Sequence, residues 1–353
     1  MNAPPIGAQW KCIVFTPAHI AAALIIVIPL LAVAFFPDLA ALPRKLPAWA
    51  LTALPSFLSV PYLLVALADG VFRWEWLALY ALLPAAIAFL LNRAQRIDPE
   101  QRGNWRDFLI LATLGAAVDL RWLEPAWPPH LAIFNKMILL DAGVYGFLCV
   151  RQLTGVGFDL RLRLRDLTTG LREFVLYTPI ALALGLGLGF LHLHSGWPGV
   201  KAIAGAWIFT FFFIAIPEEL FFRGALQRII IHLTKQPFIG IVITGILFSA
   251  LHFQFEGFLP RMLLGMILGF FYWYSGSIWT NIAAHFVNNA VQVLAVSYMP
   301  KFVNKNPETP LLAAMASAVA VWAILWFYQR ESTITWAKVY KPNDLTPYNQ
   351  FLA

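Results

Sequence analysis

Long stretches without a single Lys, Arg, Asp or Glu, such as Ala18 to Phe36 and Ala202 to Pro217, set the first constraint on this chain. A helix needs roughly 20 apolar residues to cross the hydrocarbon core of a bilayer, where every backbone polar group must be bonded within the segment. Such stretches predict an all-α fold, a polytopic transmembrane helix bundle. Spans are read at Ala18 to Phe36, Leu46 to Ala68, Trp76 to Leu91, Phe108 to Val118, Leu131 to Val150, Phe174 to Leu191, Ala202 to Phe222, Phe238 to His252, Met262 to Ile278, Ile282 to Ser297 and Leu311 to Tyr328. That makes about eleven, with Phe108 to Val118 short enough to be re-entrant or interfacial instead. Composition agrees: 12% of residues are charged and 60% apolar, whereas a soluble domain carries about 25% charge. No stretch is polar enough for a separate soluble catalytic domain.

Charge outside the spans reads as topology. The net charge of +7 comes from scattered Lys and Arg that form no groove-sized block, so nucleic acid is not an expected partner. Arg44, Lys45, Arg93, Arg96, Arg161, Arg163, Arg165 and Arg330 fall on loops that alternate to one side, against fewer, such as Arg73, Arg121 and Lys201, on the other. The chain is expected to be a multi-pass protein of the cell inner (plasma) membrane, and the positive-inside rule places its N-terminus outside and its C-terminus cytoplasmic. Arg161, Arg163 and Arg165 alternate with leucines, a period that suits a strand or an extended segment lying on anionic headgroups, or simply a topology-fixing loop. Cys12 and Cys149 form no motif for a disulfide framework or a thiolate zinc site. Gly185 with Gly189, and Gly265 with Gly269, are small-xxx-small pairs that let helix backbones approach closely.

Ionisable groups inside a span are costly and tend to be paired or functional. Lys136 and Asp141 share one span five residues apart, on different faces of a helix, and are read as structural groups satisfied by neighbouring helices. The second half differs. In FTFFFIAIPEELFFRGALQRIII, Glu218 and Glu219 are adjacent and Arg223 follows Glu219 by four residues. Two neighbouring carboxylates in a low dielectric cannot both stay charged without a partner. Arg223, one turn on, supplies that partner to Glu219 and leaves Glu218, about 100° round the helix, to act as a base. The apolar run resumes after Arg223, so one long helix from Ala202 to Leu233 holds the pair near mid-depth. Phe248 and His252 sit four apart at the end of the next apolar run, and His285 and Asn289 four apart in a later one.

Together these segments read EExxxR, FxxxH and HxxxN. In that order they resemble the CAAX protease and bacteriocin-processing (CPBP) family of intramembrane proteases, whose eukaryotic branch is the Ras-converting CAAX prenyl endopeptidase. The resemblance covers roughly residues 174 to 297. It implies a peptidase core over 174–328, preceded by an N-terminal transmembrane extension of unknown role (1–173) and followed by a cytoplasmic tail (329–353). It also implies an endopeptidase acting on a membrane-tethered protein or peptide, with the lipid bilayer as its setting.

Two chemistries fit the residues. In the metal-free one, Glu218 and His252 hold and deprotonate a water, and His285 and Asn289 donate to the oxyanion. Glu219, Arg223 and Phe248 support them. No cofactor is then needed. In the other, Glu218, His252 and His285 bind zinc, which requires three separate spans to converge on one ion. HExxH, which would place two His on one helical face, is absent. The glutamic arrangement asks less of the chain and is the expectation. A non-catalytic membrane scaffold or immunity protein of the same fold is the alternative. A transporter is disfavoured because the Glu/His set has no second copy in the first half.

Overall fold

The computed structural model describes residues 16–101, 103–153, 162, 164–187, 199–252 and 258–298. Cys12, Arg161, Arg163, Gly189, the run Leu311 to Tyr328 and the C-terminal tail lie outside them. Every regular element among the described residues is helical. They fall into two compact units, one reaching Leu153 and including Leu162, the other starting at Leu164.

The first unit contains α1 (Pro17–Phe35), α2 (Ala48–Ala68), α3 (Trp74–Ile97), α4 (Trp105–Asp119) and α5 (Pro129–Val150). Thr16 starts α1 as an N-cap, with His19 closing a reciprocal capping box, and Asn104 and Asp107 do the same for α4. An aromatic cluster of Tyr62, Tyr80, Trp127 and Phe134 fills the interior. Its polar tips are satisfied internally: Trp127 Nε1 donates to Tyr80 Oη at 2.7 Å, and Tyr80 donates to Asn135 Oδ1 at 2.9 Å. Asp141 is buried, as an intramembrane structural group should be, yet its Oδ2 has no hydrogen-bond partner among the described residues.

The second unit contains α6 (Leu164–Gly187), α7 (Val200–Thr234), α8 (Pro237–Ala250), α9 (Phe258–Ser275) and α10 (Ile278–Tyr298). In the alternating Arg/Leu stretch, Leu162 belongs to no regular element. From Leu164 the stretch is helix, with Asp166 in the first turn where the helix dipole favours an acid. The 35-residue α7 is the element that carries the site. It winds wider than an α-helix at Phe211–Ala215 and again at Leu220–Gln227, on either side of the short α-helical turn Ile216–Glu219. Pro217 lacks an N–H and cannot close its own rung of the ladder, so the helix relaxes around it.

The expectation of about eleven spans is overturned. Among the described residues five helices are long and apolar enough to cross a membrane: α1, α2, α3, α5 and α7. Run length misled because it ignored helix length and polar content. α4 has 15 residues and α8 has 14, so they reach only about 21–23 Å of a core about 30 Å thick. α9 is also a short apolar helix. α6 begins with Arg165, Asp166, Arg172 and Glu173, and α10 carries Asn281, His285, Asn288 and Asn289. With the count corrected, the alternation of loops that assigned the two ends to opposite sides loses its basis.

Candidate active site

Glu219 is the centre of a buried polar cluster built by α7, α9 and α10. Its carboxylate is fully buried, and Oε1 accepts from Arg223 Nη1 at 3.0 Å, one turn further along α7. The same oxygen meets His285 Nδ1 at 2.7 Å, and Oε2 accepts from Asn281 Nδ2 at 3.0 Å. Arg223, also fully buried, reaches across to α9, where Nη2 donates to the Gly265 carbonyl at 3.0 Å. Gln227, one turn on again, donates to the Gly269 carbonyl at 2.9 Å. The glycines of α9 thus serve more than helix packing, because they bare the carbonyls that receive these side chains. A Cβ at Gly265 would lie 3.0 Å from the Gly245 Cα of α8, and one at Gly269 would lie 2.7 Å from Gln227 Oε1.

Glu218 occupies a different setting from its neighbour. Its side chain retains 19% exposure, and Oε2 stands 3.9 Å from His285 Nε2. His285 is therefore placed between the two carboxylates, with Nδ1 toward Glu219 and Nε2 toward Glu218. The adjacent acids of the EExxxR motif are thereby separated, one enclosed by donors and the other part-exposed.

Phe248 links the remaining elements. It is buried, with its ring edge-on to Phe222 of α7, 5.9 Å from the His285 ring and 5.1 Å from the His252 ring. The Arg223 guanidinium lies 4.7 Å from its centroid, within reach of a cation–π contact. His252 follows the end of α8 in an exposed position, its Nδ1 2.7 Å from the Phe248 carbonyl. Asn289 is part-exposed on α10, and its Oδ1 accepts from Asn288 Nδ2 at 3.1 Å, which leaves its own amide hydrogens to serve as donors.

Glu218, Glu219, Arg223, Phe248 and His285 are thus gathered in one cluster, with His252 joined to it through the Phe248 ring and Asn289 one turn beyond His285. Sequence reasoning missed Asn281 and Asn288. The signal for Asn281 was its spacing, since Asn281, His285 and Asn289 recur every four residues along one face of α10. A zinc site of Glu218, His252 and His285 would need all three side chains around one point. Among the described residues no group of three or more His, Cys, Asp or Glu is placed to hold a metal ion.

Residues 200–291, which span α7 to α10 up to Val291 and hold every residue named above, match the family model of the Rce1-like type II CAAX prenyl endopeptidases. The uncharacterized protein YpbD of Bacillus subtilis (strain 168) is 32% identical over 88 residues, which make up 24% of this chain and 42% of that one. The chain thus spans less than half the length of the curated relative that it matches. No solved structure matches it.

Proposed function

We propose that the chain is an intramembrane endopeptidase of the CPBP type, with its core in residues 174–328, that hydrolyses a peptide bond in a membrane-tethered protein or peptide by a glutamic mechanism. The observation that carries this reading is the division between adjacent carboxylates. Glu219 is saturated by Arg223, His285 and Asn281, while Glu218 retains 19% exposure beside His285. An ion pair built only for stability needs no second, more accessible acid beside it.

In this mechanism Glu218, with His252, orients a water at the edge of the cluster and takes its proton as the oxygen attacks the scissile carbonyl. The carbonyl oxygen becomes an oxyanion. Asn289 donates to it from the side-chain amide that Asn288 orients, and His285 donates from Nε2 when the ring carries both protons. Glu218 then passes the proton to the departing amine, and the products are a carboxylate and a free amino terminus. Glu219 stays charged throughout and holds His285 in place. The similarity to CAAX prenyl endopeptidases supports a substrate cut near its C-terminus and held to the bilayer by a lipid.

The test compares membrane proteomes of wild type and a Glu218→Gln strain for proteins whose C-termini differ. A defined set of uncut C-termini in the variant is expected. Identical C-termini in both strains, with the variant accumulating normally, would sink the peptidase reading in favour of a scaffold.

A further inference from the structure

Asn281 belongs to no motif of the EExxxR, FxxxH and HxxxN set, yet it closes the cluster. It is fully buried and lies one turn before His285 on α10, so both side chains project from one face of that helix. Its amide nitrogen donates to Glu219 Oε2 and also to the Leu268 carbonyl of α9. These two bonds use both hydrogens of the amide and fix its plane.

Glu219 is thereby held from two sides by donors that are themselves anchored to the α9 backbone, Arg223 at Gly265 and Asn281 at Leu268. Its orientation matters because His285 Nδ1 lies 2.7 Å from Oε1. An ionised carboxylate can only accept, so the proton of that bond belongs to Nδ1, and the partner of one ring nitrogen decides what the other presents. Nε2 is the nitrogen that faces Glu218 at 3.9 Å. Without Asn281, Glu219 keeps both its donors on Oε1 and nothing on Oε2, so its plane is free to turn about the last torsion. The ring it aims is then no longer confined to one tautomer.

We propose that Asn281 is a positioning residue for the reaction: through Glu219 it fixes the ring plane of His285 and keeps a proton on Nδ1 in the neutral and the doubly protonated ring alike, and so leaves Nε2 facing Glu218 and substrate, where it donates once it too is protonated. The kinetic half of this proposal rests on the peptidase reading. The structural half does not.

Its test uses the full chain in lipid nanodiscs with 15N-labelled histidine rings, the His285 signals being identified by their loss in His285→Gln. In the wild type Nδ1 of His285 reads as protonated. Asn281→Ala is expected to give a mixture in which the neutral ring also carries its proton on Nε2, while Asn281→Ser, which keeps a donor, returns toward the wild-type pattern. With a quenched peptide ending in a farnesylated C-terminal tetrapeptide as probe, kcat of Asn281→Ala should fall on the order of 10- to 100-fold, as for a small misplacement of a reacting group. KM should change little, and Asn281→Ser should recover part of the loss. A His285 tautomer unmoved in folded Asn281→Ala overturns the proposal, as does a kcat lost only in proportion to folded protein. If the alanine variant does not fold, Asn281→Ser decides: a mixed tautomer with undiminished kcat refutes the role. A wild type that leaves the probe and every membrane protein uncut refutes the peptidase reading instead, and the tautomer shift still decides the place of Asn281.

Discussion

Each unit of the molecule buries an arginine against carboxylates, and the two arrangements differ in how they end. In the first unit Arg151 is fully buried and spends every donor it has. Nε and Nη2 bond Asp107 at 2.8 and 3.0 Å, Nη2 also bonds Asp98, and Nη1 bonds Gln95 Oε1 and the Asp98 carbonyl at 2.9 and 2.8 Å. Burial works against its charge, but Asp107 and Asp98 outweigh that cost and hold its pKa above the ordinary value for arginine. Every donor of this arginine is spent on its own partners, of which Asp98 keeps 15% exposure, and the cluster pins the end of α3 to the start of α4 and the residue after α5. In the second unit Arg223 bonds a carboxylate that is shared with an imidazole, and beyond the imidazole stands a part-exposed acid. A buried ion pair alone therefore says nothing about chemistry. What sets the second pair apart is that its carboxylate is shared with a titratable ring whose other nitrogen faces a further acid.

The largest expected effect separates the two clusters by their acids. Glu218→Gln should lower turnover of the farnesylated probe by about 10²–10⁴, the range for losing a general base, while folded protein stays near the wild-type level. Asp98→Asn in the Arg151 cluster should leave turnover per folded molecule unchanged. Probe cleavage normalised to the monodisperse fraction in size-exclusion chromatography measures both. A Glu218→Gln variant that cuts as fast as wild type would erase the functional difference between the two clusters.

Next come the arginines. Arg151→Ala strands Asp107, and Arg223→Ala strands Glu219, both 0% exposed. Breaking a buried pair by removing one partner costs about 3–5 kcal/mol, so thermal unfolding should show comparable losses. Turnover per folded molecule should fall only in the Arg223 variant, because only that pair leads to His285. Equal turnover in the two would make both clusters structural.

The sequence makes this contrast partly legible. Glu219 and Arg223 are one turn apart, so their pairing follows from helical spacing alone. The union of α7 into one helix follows from the apolar residues on both sides of Arg223. What spacing cannot supply is the third dimension. Asn281 reaches Glu219 across 62 positions of sequence, and the carbonyls of Gly265 and Gly269 are acceptors only because α9 lies against α7 at bare glycines. The error in span number has the opposite origin. Apolar runs report burial, and α8 and α9 are buried partly by other helices, so hydropathy over a short window could not tell a helix that crosses from one that packs. Wider winding around Pro217 was invisible too, since proline marks a break in the ladder without saying how the helix repairs it.

A smaller effect sharpens the division within the second unit. Asn289→Ala removes a proposed oxyanion donor and should cost about 10²–10³ in kcat with KM nearly unchanged. Asn288→Ala removes only the group that orients it, through the 3.1 Å bond to Asn289 Oδ1, and should cost less. Steady-state kinetics on the same probe decide between them. A rise in KM at constant kcat in Asn289→Ala would assign that amide to ground-state binding instead.

The smallest expected effect is none at all, and it concerns the chemistry of the site. If Glu218 activates water without a metal, prolonged dialysis against a strong chelator should leave probe cleavage unchanged. In a zinc enzyme His252 and His285 would be ligands, chelation would abolish cleavage, added zinc would restore it, and Asn289 would act by orienting His285. The geometry bears on this through one bond. His285 Nδ1 faces Glu219 at 2.7 Å, a carboxylate–histidine contact that also supports many metal-bound imidazoles, so the contact by itself is neutral between the two chemistries. His252 separates them. Its ring meets the cluster only through Phe248 among the contacts described, and Nδ1 is turned to the Phe248 carbonyl at 2.7 Å. As a partner in holding water, His252 can be replaced with Gln at the cost of part of the rate. As a ligand it cannot be replaced without losing the ion. Stoichiometric zinc in active protein, lost together with activity in His252→Ala, would overturn the glutamic mechanism while leaving the peptidase reading in place.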